Sequence, residues 1–196
     1  DAQNQLIEKA VEDGAQAIVF SAIDYEANAE AIDAAAAAGV TIVGIDSAVH
    51  SDQVAAYIGS DNYGAGRLAA RSALEGTEGK LCVGLINYEV NGANGRDREQ
   101  GARDTVADSG RAEVVTSMQT HPNAASAHSD ALRMLQQHPE INVLVAFNEA
   151  TAVGAVQAVQ EMGRVDDLWL VAFDSNVQTI DALQSGAVDA RIVQNT

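Results

Sequence analysis

LWLVAFDSN, residues 168–176, runs six apolar residues straight into Asp174, Ser175 and Asn176. NVLVAFNE does the same upstream, where Val-Ala-Phe ends on Asn148 and Glu149. Near the start, TIVGIDS closes on Asp46 and Ser47. A short run that is apolar at every position, rather than at every second one, suits a strand buried on both faces. Such strands belong to parallel sheets covered by helices on both sides. The polar residues that end each run then stand at the carboxyl ends of the strands.

Working outward, the chain alternates between short apolar runs and helical periodicity. Leu6, Ile7, Ala10 and Val11 share one helical face, and Gly14 is placed to end that helix in the left-handed conformation. The pattern predicts helices over 6–14, 25–40, 61–76, about 96–109, 123–139, 149–163 and 176–186. It predicts strands over 16–22, 41–46, 54–60, 80–87, 112–118, 141–148, 168–174 and 188–194. Asp61 is a candidate N-cap, Gly39 and Gly163 close their helices, and Pro139 stops the one before it. Strands alternating with helices give an α/β fold with doubly wound parallel sheets.

The totals bound the function. With 196 residues, 47% hydrophobic and 20% charged, the chain is long enough for one large or two small domains. A net charge of −17 argues against nucleic acid as a partner of this segment, because phosphate binding relies on clustered Lys and Arg. The single Cys82, inside LCVGLI, excludes an internal disulfide framework and reads as a buried core thiol. No apolar run approaches the ~18–20 residues that span a bilayer. There is no GxSxG elbow, no HExxH and no phosphate-loop lysine motif, and the four histidines show no metal-ligand spacing. Nothing in the sequence calls for a cofactor.

In an open parallel sheet, ligands bind beyond the carboxyl ends of the strands. Ser21, Asp24, Asp46, Ser47, Asn87, Asn148, Glu149, Asp174 and Ser175 all fall there. Each of the Asp and Asn residues can also be read as the cap of a following helix. Five polar strand ends together favour a shared crevice, one whose short carboxylates and amides would hydrogen-bond hydroxyls. In NGANGRDREQGARD (91–104), Arg98 is the cation expected to face that crevice, since a guanidinium can bridge two ligand oxygens. Arg96 and Arg103 are expected to form surface pairs with Asp97, Glu99 and Asp104. His121 follows a strand; it reads either as a crevice residue or as part of a surface loop.

The stretches QAIVFSAID, AAAAAGVTIVGIDS, YIGSDNYGAGRLAA, NGRDREQGARD, VLVAFNEATAVGAVQAV, LWLVAFDSN and LQSGAVDARIVQN carry a resemblance. The chain resembles the type I periplasmic sugar-binding proteins of the ribose-binding-like group, along nearly its whole length. Effector domains of LacI-type repressors share that fold. The resemblance implies two hinged α/β lobes that close on a sugar. Residues 1–60 would form part of the first lobe, 61–192 a nearly complete second lobe, and 193–196 the start of a return crossing. Ser60 and Asp61 match the first crossing. The family pattern has further first-lobe strands on both sides of this stretch, so the first lobe is expected to be incomplete here, with exposed sheet edges.

Carried over by position, Asp46 matches the first-lobe carboxylate for sugar hydroxyls, and Arg98 the second-lobe clamp. Asn148 and Asp174 match the second-lobe amide and carboxylate, and Gln194 the hinge-side amide. Ser47 stands where the pattern has Arg, Ser21 where it has Asn, and His121 where it has an aromatic ring. The function implied is binding of a monosaccharide or small polyol, with no enzymatic step. The partner implied is the membrane permease of an ABC importer or a sensor kinase. The location implied is periplasmic or extracellular, with or without a membrane anchor. A transcription regulator's effector domain is the alternative; it would require a basic helix-turn-helix before residue 1. A glycosidase with Asp46 and Asp174 as its carboxylate pair is the least supported reading, as nothing in the sequence suggests a raised pKa.

Overall fold

The computed structural model describes residues 2–88 and 91–194. Residues 195 and 196 of the expected return crossing therefore lie outside the described residues, as do Glu89 and Val90 of the polar loop. The described chain divides into two compact units, 2–60 with 91–96 and 61–88 with 97–194.

The first unit is built from α1 (Ala2–Glu12), β1 (Ala17–Phe20), α2 (Ala29–Ala37), β2 (Thr41–Ile45) and β3 (Val54–Ile58). The strands pair in parallel in the order β1-β2-β3. Ile7 of α1 and Ile32 and Ala35 of α2 pack with Phe20 and Ile42, so both helices cover the same face of the sheet. On the other side Val19 and Ile58 are 62% and 69% exposed. Among the described residues, both helices of this unit thus lie on one face of the sheet. α1 is closed, as the sequence indicates, by Gly14, which follows it in a turn with φ 82°. α2 begins later than the periodicity suggests. The Asp24 carboxylate accepts from the backbone N–H groups of Glu26 and Ala27 at 3.0 and 2.8 Å, which turns 25–28 into a local loop instead of helix.

The second unit contains α3 (Asn62–Gly76), β4 (Leu81–Asn87), residues 97–108 of α4 (Ala93–Asp108), β5 (Ala112–Gln119), α5 (Ala124–Gln137), β6 (Val143–Ala146), α6 (Glu149–Glu161), β7 (Trp169–Phe173), α7 (Val177–Ser185) and β8 (Ala190–Ile192). Its five strands are all parallel, in the order β5-β4-β6-β7-β8.

Here the uninterrupted apolar runs have a direct explanation. Val171 and Phe173 of β7, with Val143, Val145 and Phe147, pack against Ala69, Ala73 and Ala102 of α3 and α4. Leu170 and Ala172, with Leu144 and Ala146, pack on the other face against Met134, Leu135, Ala155 and Val159 of α5 and α6. Alternate side chains point to opposite faces, and each face is covered, so every position is apolar. Strand order reverses between β5-β4 and β6-β7-β8, which puts the topological switch point at the ends of β4 and β6. Cys82, read from sequence as a core thiol, is only half-buried. It lies near the start of β4, 3.9 Å from the Glu113 carboxylate on the edge strand. Among the described residues no helix is long and apolar enough to cross a membrane.

Candidate functional site

At the end of β2 the chain turns on Asp46, which adopts φ 58°. L-residues rarely enter this left-handed region, and Asp is among those that tolerate it best. The Asp46 N–H donates to the Ile58 carbonyl, the last residue of β3, at 2.9 Å. The Tyr57 hydroxyl donates to the Asp46 carbonyl at 2.7 Å. The carboxylate is exposed and accepts from the Ser21 hydroxyl and the Asn94 amide, each at 3.3 Å. Ser21, at the end of β1, also accepts from the N–H of buried Ser47 at 3.4 Å. Gln3 of α1 braces this corner, donating to the Ser21 carbonyl at 2.7 Å and accepting from the Ile23 N–H at 2.9 Å.

The second unit contains a counterpart. At the end of β7, Asp174 adopts φ 63°. Its N–H donates to the carbonyl of Ile192, the last residue of β8, at 2.9 Å. Its carboxylate accepts from the Gln194 side chain at 2.5 Å and from the Glu149 N–H at 3.1 Å. Asn148 caps α6: its Oδ1 accepts from the Thr151 N–H at 2.9 Å, and Thr151 returns the contact to the Asn148 N–H. The capping reading of Asn148 is borne out, and the cap, which occupies Oδ1, leaves Nδ2 to donate elsewhere.

Arg98 is buried at the switch point. Its Nε donates to Asn62 Oδ1 at 2.8 Å and its Nη1 to the Phe147 carbonyl at 2.7 Å. The guanidinium carbon lies 4.9 Å from the centre of the Phe173 ring. Arg98, Asn148, Asp174 and Gln194 are therefore linked through the ends of β6, β7 and β8. His121 is exposed in the turn after β5, and among the described residues no hydrogen bond joins it to that group.

Residues that the sequence reading missed support both corners. Asn94 reaches Asp46, and Asn62 holds Arg98. The Glu99 carboxylate collects the Asn87 amide, the Ser117 hydroxyl and Arg103, all within 2.8 Å. Burial pushes the Glu99 pKa up, but these hydrogen bonds and the Arg103 charge outweigh it and hold the group below the usual carboxylate range. Arg103 thus pairs with Glu99 as expected from sequence, and the Arg96 guanidinium lies over the Tyr25 ring, 4.1 Å from its centre. None of these long-range contacts leaves a periodic signal in the sequence. Among the described residues no cluster of His, Cys, Asp and Glu could hold a metal ion. The Asp46 corner offers a hydroxyl, an amide and a carboxylate, and the Asp174 corner offers amides and a carboxylate beside the Arg98 cation; each set is suited to polyhydroxylated ligands.

A family model described as a periplasmic binding protein domain matches residues 1–196. The chain is 28% identical over 203 aligned residues to the ribose import binding protein of Bacillus subtilis (strain 168), covering 99% of this chain and 64% of that protein. It is 27% identical over 184 residues to the D-ribose/D-allose-binding protein of Pseudomonas aeruginosa, covering 91% and 57%. It spans, then, about three fifths of the length of these curated relatives. The crystal structure of GanP, a glucose-galactose binding protein from Geobacillus stearothermophilus, superposes with a TM-score of 0.91 at 28% identity, covering 97% of this chain and 68% of that one. The chain belongs to the periplasmic binding protein domain family.

Proposed function

We propose that this chain binds a monosaccharide or closely related polyol and serves as solute receptor for the membrane permease of an ABC importer. Asp46 and Ser21 would take hydroxyls on the side of the first unit, together with the main chain at Ser47. Arg98, Asn148, Asp174 and Gln194 would take hydroxyls and a ring oxygen on the side of the second. The single observation that supports the reading best is the pair of left-handed aspartates, Asp46 and Asp174, each at the end of a parallel strand with its carboxylate oriented by neighbouring donors. Backbone strain retained at two equivalent positions is the mark of groups kept for a ligand. The names of the relatives, ribose and allose binders, favour the same ligand class.

No bond is made or broken in this function. Selectivity would come from stiff hydrogen-bonding groups that a wrong epimer leaves unpaired. A receptor for an importer would work outside the cytoplasmic membrane. The test is titration calorimetry of the chain against a panel of aldopentoses, aldohexoses and polyols, with the Asp46→Ala and Asp174→Ala variants. Saturable binding of one sugar, weakened at least threefold by both variants, supports the reading. Binding unchanged in both variants sinks the site assignment.

A further inference from the structure

Arg98 is only 3% exposed, and its orientation is fixed from three directions. Asn62 accepts from Nε, the Phe147 carbonyl accepts from Nη1, and the Phe173 ring covers one face of the guanidinium. A guanidinium has five N–H bonds. With Nε and one bond of Nη1 committed, three remain, all on the two terminal nitrogens. Asn62 is itself buried and sits in the first turn of α3, directly after the N-cap Asp61.

Two glycines bring this residue to Arg98. A Cβ on Gly66 would lie 1.9 Å from the Arg98 carbonyl oxygen, and a Cβ on Gly101 would lie 2.1 Å from the Tyr63 carbonyl oxygen. Helices α3 and α4 therefore touch backbone to backbone at both points. Asn62, one helical turn before Gly66, falls on the face of α3 that meets Arg98.

We infer that Asn62 is a positioning residue for ligand recognition: it holds Nε of Arg98 so that the terminal Nη edge, and not the Nε edge, reads the ligand. This inference rests on the binding function proposed above and adds which edge of the cation does the reading. The two N–H bonds of that terminal edge run roughly parallel and match a ring oxygen with its neighbouring hydroxyl, or two hydroxyls on adjacent carbons. Without Asn62 the guanidinium can rotate, and an Nε–H left buried without a partner is costly.

The test needs Asn62→Leu, Asn62→Asp and Arg98→Ala, each checked for cooperative melting; Asn62→Ala replaces the leucine variant with the same expectations if that one does not fold. The ligand-free readout is the ¹⁵N-detected Nε–H signal of Arg98. It is expected to be sharp and slow to exchange in the parent chain and in Asn62→Asp, which keeps an acceptor, and lost in Asn62→Leu. The second readout is affinity for the sugar that the parent chain binds. Asn62→Leu should weaken it by about tenfold or more, Asn62→Asp should restore it to within a few fold, and Asn62→Leu should add nothing in the Arg98→Ala background.

An Nε–H signal unaffected by Asn62→Leu would overturn the inference. So would an equal loss of affinity from Asn62→Leu with and without Arg98, which would make Asn62 a structural part of α3. A parent chain that binds no sugar would remove the proposed function, while the Nε–H signal would still decide whether Asn62 positions Arg98.

Discussion

At the end of β2, Asp46 turns through φ 58° and passes its N–H to the last residue of β3; at the end of β7, Asp174 turns through φ 63° and passes its N–H to the last residue of β8. The backbone device is the same, but the settings differ. Asp46 follows Ile45, which is 40% exposed, and its own carboxylate is exposed, with two donors at 3.3 Å. Asp174 follows Phe173, which is fully buried, and its carboxylate accepts at 2.5 and 3.1 Å. Among the described residues, helices pack on one face of the β1-β2-β3 sheet and on both faces of the other. A corner backed by two packed layers holds its carboxylate by short contacts to a main-chain amide and a part-buried side chain. The Asp46 corner makes longer contacts, both to side chains. Asp174 is therefore held more tightly than Asp46.

The comparison breaks first on stability. Phe173→Ala should cost about 3–5 kcal/mol, as large buried aromatics do, while Ile45→Ala should cost less than ~1 kcal/mol because its side chain is already partly in water. Denaturant unfolding of both variants checks this, and similar costs would refute the contrast between the units. Affinity comes next. Asp174→Ala and Asp46→Ala should each lose ~2 kcal/mol or more of sugar binding through a lost charged hydrogen bond, with Asp174 the larger. A greater loss at Asp46 in calorimetry would contradict the tighter hold on Asp174.

The pH dependence of the second unit is a smaller effect. Glu99 titrates below the usual carboxylate range in the folded chain. The stability it contributes is therefore present above the unfolded carboxylate pKa and is lost as pH falls through the folded value. The melting temperature of Glu99→Gln should lie below that of the parent chain at neutral pH, and the gap should close in acid. The smallest effect belongs to the first unit. The Glu26 carboxylate accepts from His50 at 2.8 Å and raises the pKa of the imidazole, with Asp52 adding to the shift and Arg96 opposing it. That contribution is present below the unfolded His value and lost as pH rises through the folded one. The pair is solvent-exposed, so salt should screen it. An NMR titration of His50 in low and high salt measures the shift.

Much of this was legible in the residues themselves. LWLVAFD announces a strand buried on both faces, because each of its alternating side chains meets a helix layer. The positions of Asp46, Asn148 and Asp174 at strand ends follow from the same runs. The exposure of Val19 and Ile58 was not legible, since both are as apolar as buried strand residues. Nor were the supports. Asn62 meets Arg98 only because two glycines let α3 and α4 touch, and Asn94, in the first turn of α4, meets a residue 48 positions before it. Pairings between residues far apart in sequence depend on topology, and a local pattern does not encode them. The left-handed conformation of both aspartates was hidden for the same reason: it is imposed by the neighbouring strand that takes the N–H.

The most direct measurement is titration calorimetry of ribose, allose, glucose and galactose into the parent chain and into Asp174→Asn, which keeps the shape and the left-handed turn but removes the charge. The account predicts saturable, one-to-one binding of one of these sugars to the parent chain, weakened by ~2 kcal/mol or more in the variant. Equal affinity in both proteins, or no saturable heat with any sugar on a cooperatively folded chain, would contradict it.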